Sequence, residues 1–171
     1  MGLNHNRSQY PSKENEIALV REAVERGVTL FDTAESYGYH VNEKLVGEAL
    51  KGYTDRVFIS SKFGHKFVNG VQVKTEEDST PANIRRVCEN SLRNLGVETL
   101  GMFYQHRIDP NTPIEVVAET VGELIKEVVR TKSAPLQPFK VNITSCTIQW
   151  KKTECWPFVM NWASVSYPTA P

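Results

Sequence analysis

The sequence predicts an α/β fold built around a parallel sheet. Through the first 127 residues, helical and strand-like segments alternate, and each helical segment runs for about 10–15 residues, enough to cross between neighbouring parallel strands. One strand-plus-helix unit occupies roughly 30–45 residues, which suits either a barrel of eight such units or a doubly wound sheet. A further observation separates the two. No GxGxxG follows any strand, which weighs against the dinucleotide-binding doubly wound form.

Each element has its own signals. Ser12 is placed to cap a first helix whose Ile17, Val20, Ala23 and Val24 share one face, and Gly27 stops it. "VTLFD", residues 28–32, has the β-branched and aromatic content of a short strand. Asn42 is the expected cap of a second helix with Leu45, Val46, Ala49 and Leu50 on one side and Gly52 after it. "RVFISSK", residues 56–62, is the next strand. Thr80-Pro81 marks a strong helix start, because proline at the first helical position sacrifices no hydrogen bond. Ile84, Val87, Cys88, Ser91, Leu92 and Leu95 line that helix, and Gly96 ends it. "TLGMFYQH", residues 99–106, reads as a third strand. Thr112 and Pro113 open a fourth helix, with Val117, Val121, Leu124 and Ile125 facing inward.

Bulk properties narrow the function. The 171 residues suffice for one domain with a core, and 20 basic residues balance 20 acidic ones. That balance gives no electrostatic reason to expect nucleic acid or an anionic membrane as partner. No apolar run approaches the ~18 residues that span a bilayer, and "MGLNHNRSQYPSKENE" has no apolar core of a signal peptide. The three cysteines, Cys88, Cys146 and Cys155, make no even framework, so a reduced, cytoplasmic setting is the expectation. His5, His40 and His65 read as surface or loop residues; together with Glu43 they have no zinc spacing, and no metal site is expected.

The strand ends carry the chemistry. "LFD" ends on Asp32, "ISSK" on Lys62 and "FYQH" on His106, with Tyr37 in the loop after Asp32. In parallel α/β folds such residues point into the site above the sheet. A free phenol has a pKa of ~10 and is a poor acid near neutrality, but an ammonium within ~4–6 Å favours its ionised form. A carboxylate, here Asp32, can hold the charge of a buried Lys62. His106 can orient a carbonyl by donating a hydrogen bond. A phenol acid with a carbonyl-orienting imidazole describes carbonyl reduction, and no side chain delivers hydride, so a nicotinamide cofactor is required. Arg107 and Asp109 are expected to pair or cap near the mouth of the pocket, or to contact the substrate.

Five stretches, "GVTLFDTAESYG", "NEKLVGEAL", "RVFISSKFG", "SLRNLGVETL" and "FYQHRIDP", resemble the signature segments of the aldo-keto reductase family. "FYQHRID" is most similar to the branch of pyridoxal reductases and general oxidoreductases. The resemblance covers about residues 1–127 and implies a (β/α)8 TIM barrel, NADPH as cofactor and a small aldehyde or ketone as substrate. It also implies a catalytic tetrad of Asp32, Tyr37, Lys62 and His106, with Asp32 touching the nicotinamide ribose. One departure is that family members usually carry Asp-Leu where this chain has Gly101-Met102.

The expected organisation is therefore a partial barrel over residues 1–127, about strands 2–4 with helices 1–4, followed by an unrelated tail, 128–171. "MGLN" resembles the loop after the family's first barrel strand, and the later units, with their amide clamp, stacking aromatic and 2′-phosphate pocket, are not recognisable after Glu127. The tail has none of the ten glycines, all three tryptophans and five of the nine prolines; disorder and read-through or a shifted frame are the expectations for it. Asn142-Ile143-Thr144 matches a glycosylation acceptor by chance, and "FKVNITSCTIQW" has strand content. Besides the reductase, the pattern admits a catalytically silent subunit resembling potassium-channel β subunits, a homo-oligomer joined through exposed strand edges, or a non-functional fragment.

Overall fold

Residues 12–131 are described here from a computed structural model. The expectations for His5, the tail tryptophans, Cys146, Cys155, Asn142 and residues 139–150 lie outside the described residues. The elements run α1 (Lys13–Glu25), β1 (Leu30–Asp32), α2 (Val41–Ala49), β2 (Phe58–Phe63), β3 (His65–Val68), β4 (Val71–Glu77), α3 (Pro81–Leu95), β5 (Met102–Gln105) and α4 (Ile114–Thr131).

Helix boundaries follow local chemistry. Ser12 Oγ accepts from Asn15 N, and Thr80 Oγ1 accepts from Asn83 N with Pro81 in the first turn. Gly96 closes α3 at φ 64°, a left-handed conformation that favours glycine. The start of α2 differs from expectation. Its cap is His40, at φ 70° and without a side-chain capping bond, while Asn42 is the second residue of the helix. There Asn42 Oδ1 accepts from Thr33 Oγ1 at 2.8 Å, tying α2 to the end of β1. That buried partner outweighs a solvent-side cap.

β1, β2 and β5 form a parallel sheet in the order β1-β2-β5. Among the described residues it does not close into a barrel. One face packs against the helices. Phe31, Ile59, Phe63 and Phe103 join Val20, Val24, Ile84, Val87, Leu95, Val117 and Val121 in one core. Phe63 and Phe103 stack at 4.9 Å between centroids. Two close approaches shape this layer. A Cβ at Gly47 would lie 2.5 Å from Leu95 O, so glycine lets α2 and α3 touch backbone to backbone. A Cβ at Gly101 would lie 2.6 Å from the Phe58 ring, so the departure from Asp-Leu matches its neighbour.

β3 and β4 make an antiparallel hairpin that the alternation of strands and helices did not predict. Its signal was present: Asn69-Gly70, both with positive φ (50° and 79°), joins Val68 to Val71. No helix among the described residues is long and apolar enough to cross a membrane.

Candidate active site

Alternation along the strands decides which side chains meet. Ser61 turns to the helices, where its Oγ donates to Glu43 Oε1 at 2.8 Å, with Ser91 also donating to that oxygen at 2.6 Å. The next residue, Lys62, therefore turns to the opposite face. The register pairs Asp32 with Ser60 and Lys62 with Tyr104, so all four share that face. His106 follows β5 directly, and its backbone N–H donates to Phe63 O at 2.7 Å, extending the β2–β5 pairing by one residue.

The structure brings the four expected residues together. Lys62, with 6% of its side chain exposed, forms an ion pair with Asp32. Its Nζ also donates to Thr33 O at 2.8 Å and to Tyr37 Oη at 3.1 Å. A buried ammonium is costly unless paired and hydrogen-bonded, and these partners meet both conditions. The His106 ring meets the Tyr37 ring edge-on, 5.8 Å between centroids at 84°. Ser36 Oγ lies 3.4 Å from His106 Nδ1.

Three further residues enter the site that the strand-end argument passed over. Ser60 Oγ donates to Asp32 Oδ1 at 2.6 Å, and Tyr104 Oη donates to the same oxygen at 2.8 Å. Lys62 Nζ also lies 5.2 Å from the centre of the Tyr104 ring. Their signal was parity: counting by twos from Asp32 and Lys62 through the register reaches both. The third is His65. Rather than a surface or loop residue it belongs to β3, pairs with Glu77 at 2.7 Å and contacts the His106 ring at 4.5 Å. His40 is likewise tied down, beside Glu43 and Asn94. Asp109 caps: its carboxylate accepts from Ser79 N, Asn111 N and Thr112 Oγ1. No cluster of three metal-ligating side chains forms among the described residues.

These neighbours set the charges. Burial pulls the Asp32 carboxyl upward, but hydrogen bonds from Lys62, Ser60 and Tyr104 prevail and hold it below its ordinary range. Burial, then the bond to Asp32 and its charge, push the Tyr104 phenol well above its ordinary range. Burial, then His65, Lys62 and Arg107, push His106 down to about 4. The site thus holds a charged Asp32, a Tyr104 committed to that carboxylate, and a His106 uncharged at neutral pH.

A parallel sheet with ionisable groups gathered at the carboxyl ends of its strands fits a portion of a TIM-barrel site. Residues 1–128 match the Aldo/keto reductase family, and the chain belongs to it. A relative from Glycine max described as "Probable aldo-keto reductase 1" is 39% identical over 133 residues, covering 77% of this chain and 37% of that protein. The glycerol dehydrogenase of Gluconobacter oxydans is structurally similar, with a TM-score of 0.62, 31% identity, and 70% of this chain and 37% of that one covered. An aldo/keto reductase from Klebsiella pneumoniae, solved with NADP and acetate, has a TM-score of 0.56 at 32% identity, covering 67% of this chain and 36% of that one. The chain thus spans under two fifths of the length of each of these relatives.

Proposed function

We propose that this protein reduces a small aldehyde or ketone to the alcohol with NADPH, Tyr37 acting as the general acid. The observation that supports it most is one ammonium shared between a carboxylate and a phenol. Lys62 Nζ binds Asp32 and, at 3.1 Å, Tyr37 Oη. Asp32 holds the lysine's charge, and the lysine stabilises the negative charge that develops on Oη as its proton leaves. Uncharged His106, beside Tyr37, donates to the substrate oxygen and fixes its orientation. Asp32 fits the ribose end of the cofactor: with three side-chain partners it still has 40% of its side chain exposed, leaving a carboxylate edge for a ribose hydroxyl to approach. NADPH, when bound, supplies the hydride. Tyr37 Oη would give its proton to the carbonyl oxygen as the carbonyl carbon is reduced. The tyrosinate then recovers a proton from water.

The test is NADPH oxidation in the presence of aldehydes and ketones, followed by absorbance. Tyr37→Phe lowers turnover by about 10²-fold or more while NADPH affinity stays within a few-fold. A fully active Tyr37→Phe removes the acid role from this residue.

One observation favours a second reading, a catalytically silent subunit that associates with another copy or protein. Leu30, on the outer strand β1, is 54% exposed, and an apolar strand edge invites pairing. A defined oligomer in size exclusion, with no change in NADPH fluorescence on mixing, would select that reading.

A further inference from the structure

The β3–β4 hairpin is fastened to the site at its base. Gly64 is the single residue between β2 and β3, and it adopts φ 116°, which side chains rarely tolerate. A Cβ there would meet Arg107 O at 3.2 Å and Ser79 Oγ at 3.3 Å, so the hairpin leaves β2 in close contact with the segment after β5. Asp78 N donates to Gly64 O at 2.8 Å and closes the base. Gln105 Nε2 donates to Ser79 Oγ at 2.7 Å, and Ser79 N to Asp109 Oδ2 at 2.9 Å. His65, the first residue beyond the glycine, is thereby set over His106 with ring centroids 4.5 Å apart at 53°. Its Nδ1 lies 2.7 Å from Oε2 of Glu77, its register partner on β4. The pair is mostly buried, with side chains 13% and 20% exposed.

We propose that His65, held by Glu77, is a positioning residue for His106: a second imidazole, anchored to a carboxylate, that packs the first in place and sets the charge it meets, so that His106 faces a carbonyl as a donor. The inference rests on the reductase reading of the site. The surroundings of the two rings support it. Beside His65 stands the Glu77 carboxylate. Beside His106 stand the Ser36 hydroxyl, at Nδ1, and the positive charges of Lys62 and Arg107, offset in part by Asp32. His65 is itself among the groups that push His106 down, after burial. On the hairpin, the next basic residue, Lys66, is taken by Glu76 at 2.6 Å.

The experiment is an NMR titration of the histidine side chains in the full chain. In the wild type, the His106 midpoint is expected near 4. His65→Phe keeps a ring over His106 and removes the imidazole; His65→Gln keeps a donor for Glu77 and removes the imidazole. In each folded variant the His106 midpoint is expected to rise by about half a pH unit or more, ~3-fold in proton affinity. A ring that served only for packing would leave the midpoint of His65→Phe in place, and that result overturns the proposal. Using two variants keeps the measurement available if one fails to fold. The titration needs no turnover, so it stands apart from the reductase reading. NADPH oxidation by the wild type with an unmoved His106 midpoint rejects the role of His65. A raised midpoint in a chain that oxidises no NADPH with any carbonyl supports the coupling of the two rings and rejects the reductase reading.

Discussion

At the scale of single residues, two tyrosines flank one lysine and differ in what they can give. Tyr104 donates its proton to Asp32, and burial with that carboxylate raises its phenol far out of the useful range. Tyr37 instead receives a hydrogen bond from Lys62. Tyr104→Phe is therefore expected to keep turnover within about 10-fold of wild type, the cost of one hydrogen bond to a charged group, whereas Tyr37→Phe is not. Steady-state kinetics of the two variants side by side check this, and equal losses would contradict the assignment. The positions of Asp32, Tyr37, Lys62 and His106, which the structure gathers together, were legible because each stands at or just beyond a strand end. Tyr104 and His65 were not. The first belongs to a strand interior, where only the register with Lys62 reveals its face. The second depends on a hairpin whose contact with His106 is non-local.

At the scale of elements, caps and glycines carried most of the legible information. Ser12, Thr80-Pro81 and Gly96 fix helix ends through bonds between residues three or so apart, which a linear sequence exposes directly. Thr80→Ala should cost about 1 kcal/mol in a denaturant titration. The start of α2 was misread because Asn42 is committed to Thr33, nine residues away and across the core. Gly47 shows the same limit from the other side. In an exposed helix, glycine to alanine gains about 1 kcal/mol. Here the added methyl would lie 2.5–2.7 Å from the Leu95 backbone, and relieving that overlap typically costs about 1–3 kcal/mol. Gly47→Ala is therefore expected to lower the unfolding midpoint; a raised midpoint would mean that α2 and α3 can move apart freely.

At the scale of the whole molecule, stability should depend on pH through the site. Burial and neighbouring positive charge push His106 down to about 4 when folded, below the ~6.5 of an unfolded histidine, so between those values the unfolded chain binds more protons. Acidification through that window favours unfolding. Asp32 and Asp109, both held below the ordinary carboxylate range, add to the loss once the pH falls through their own transitions. Thermal melts should show a falling midpoint from about pH 6.5 downward. His106→Gln should flatten the upper part of that fall, and an unchanged slope would contradict the histidine's share. The parallel architecture was legible because alternation of helix and strand is a property of long segments. The hairpin was not, being a short insertion with a different period. The parity of β2 has a further consequence, for how this chain tolerates changes in length. Ser61 and Lys62 stand on opposite faces, one locked to Glu43 and the other to Asp32. Deleting a single residue between 58 and 61 would trade their places, burying an ammonium against the helices and emptying the reactive face. The hairpin tip around Asn69-Gly70 is far more forgiving, with Val68 and Val71 open to solvent. Insertions and deletions recovered from a random library should accumulate there and be absent from the strand that carries the lysine.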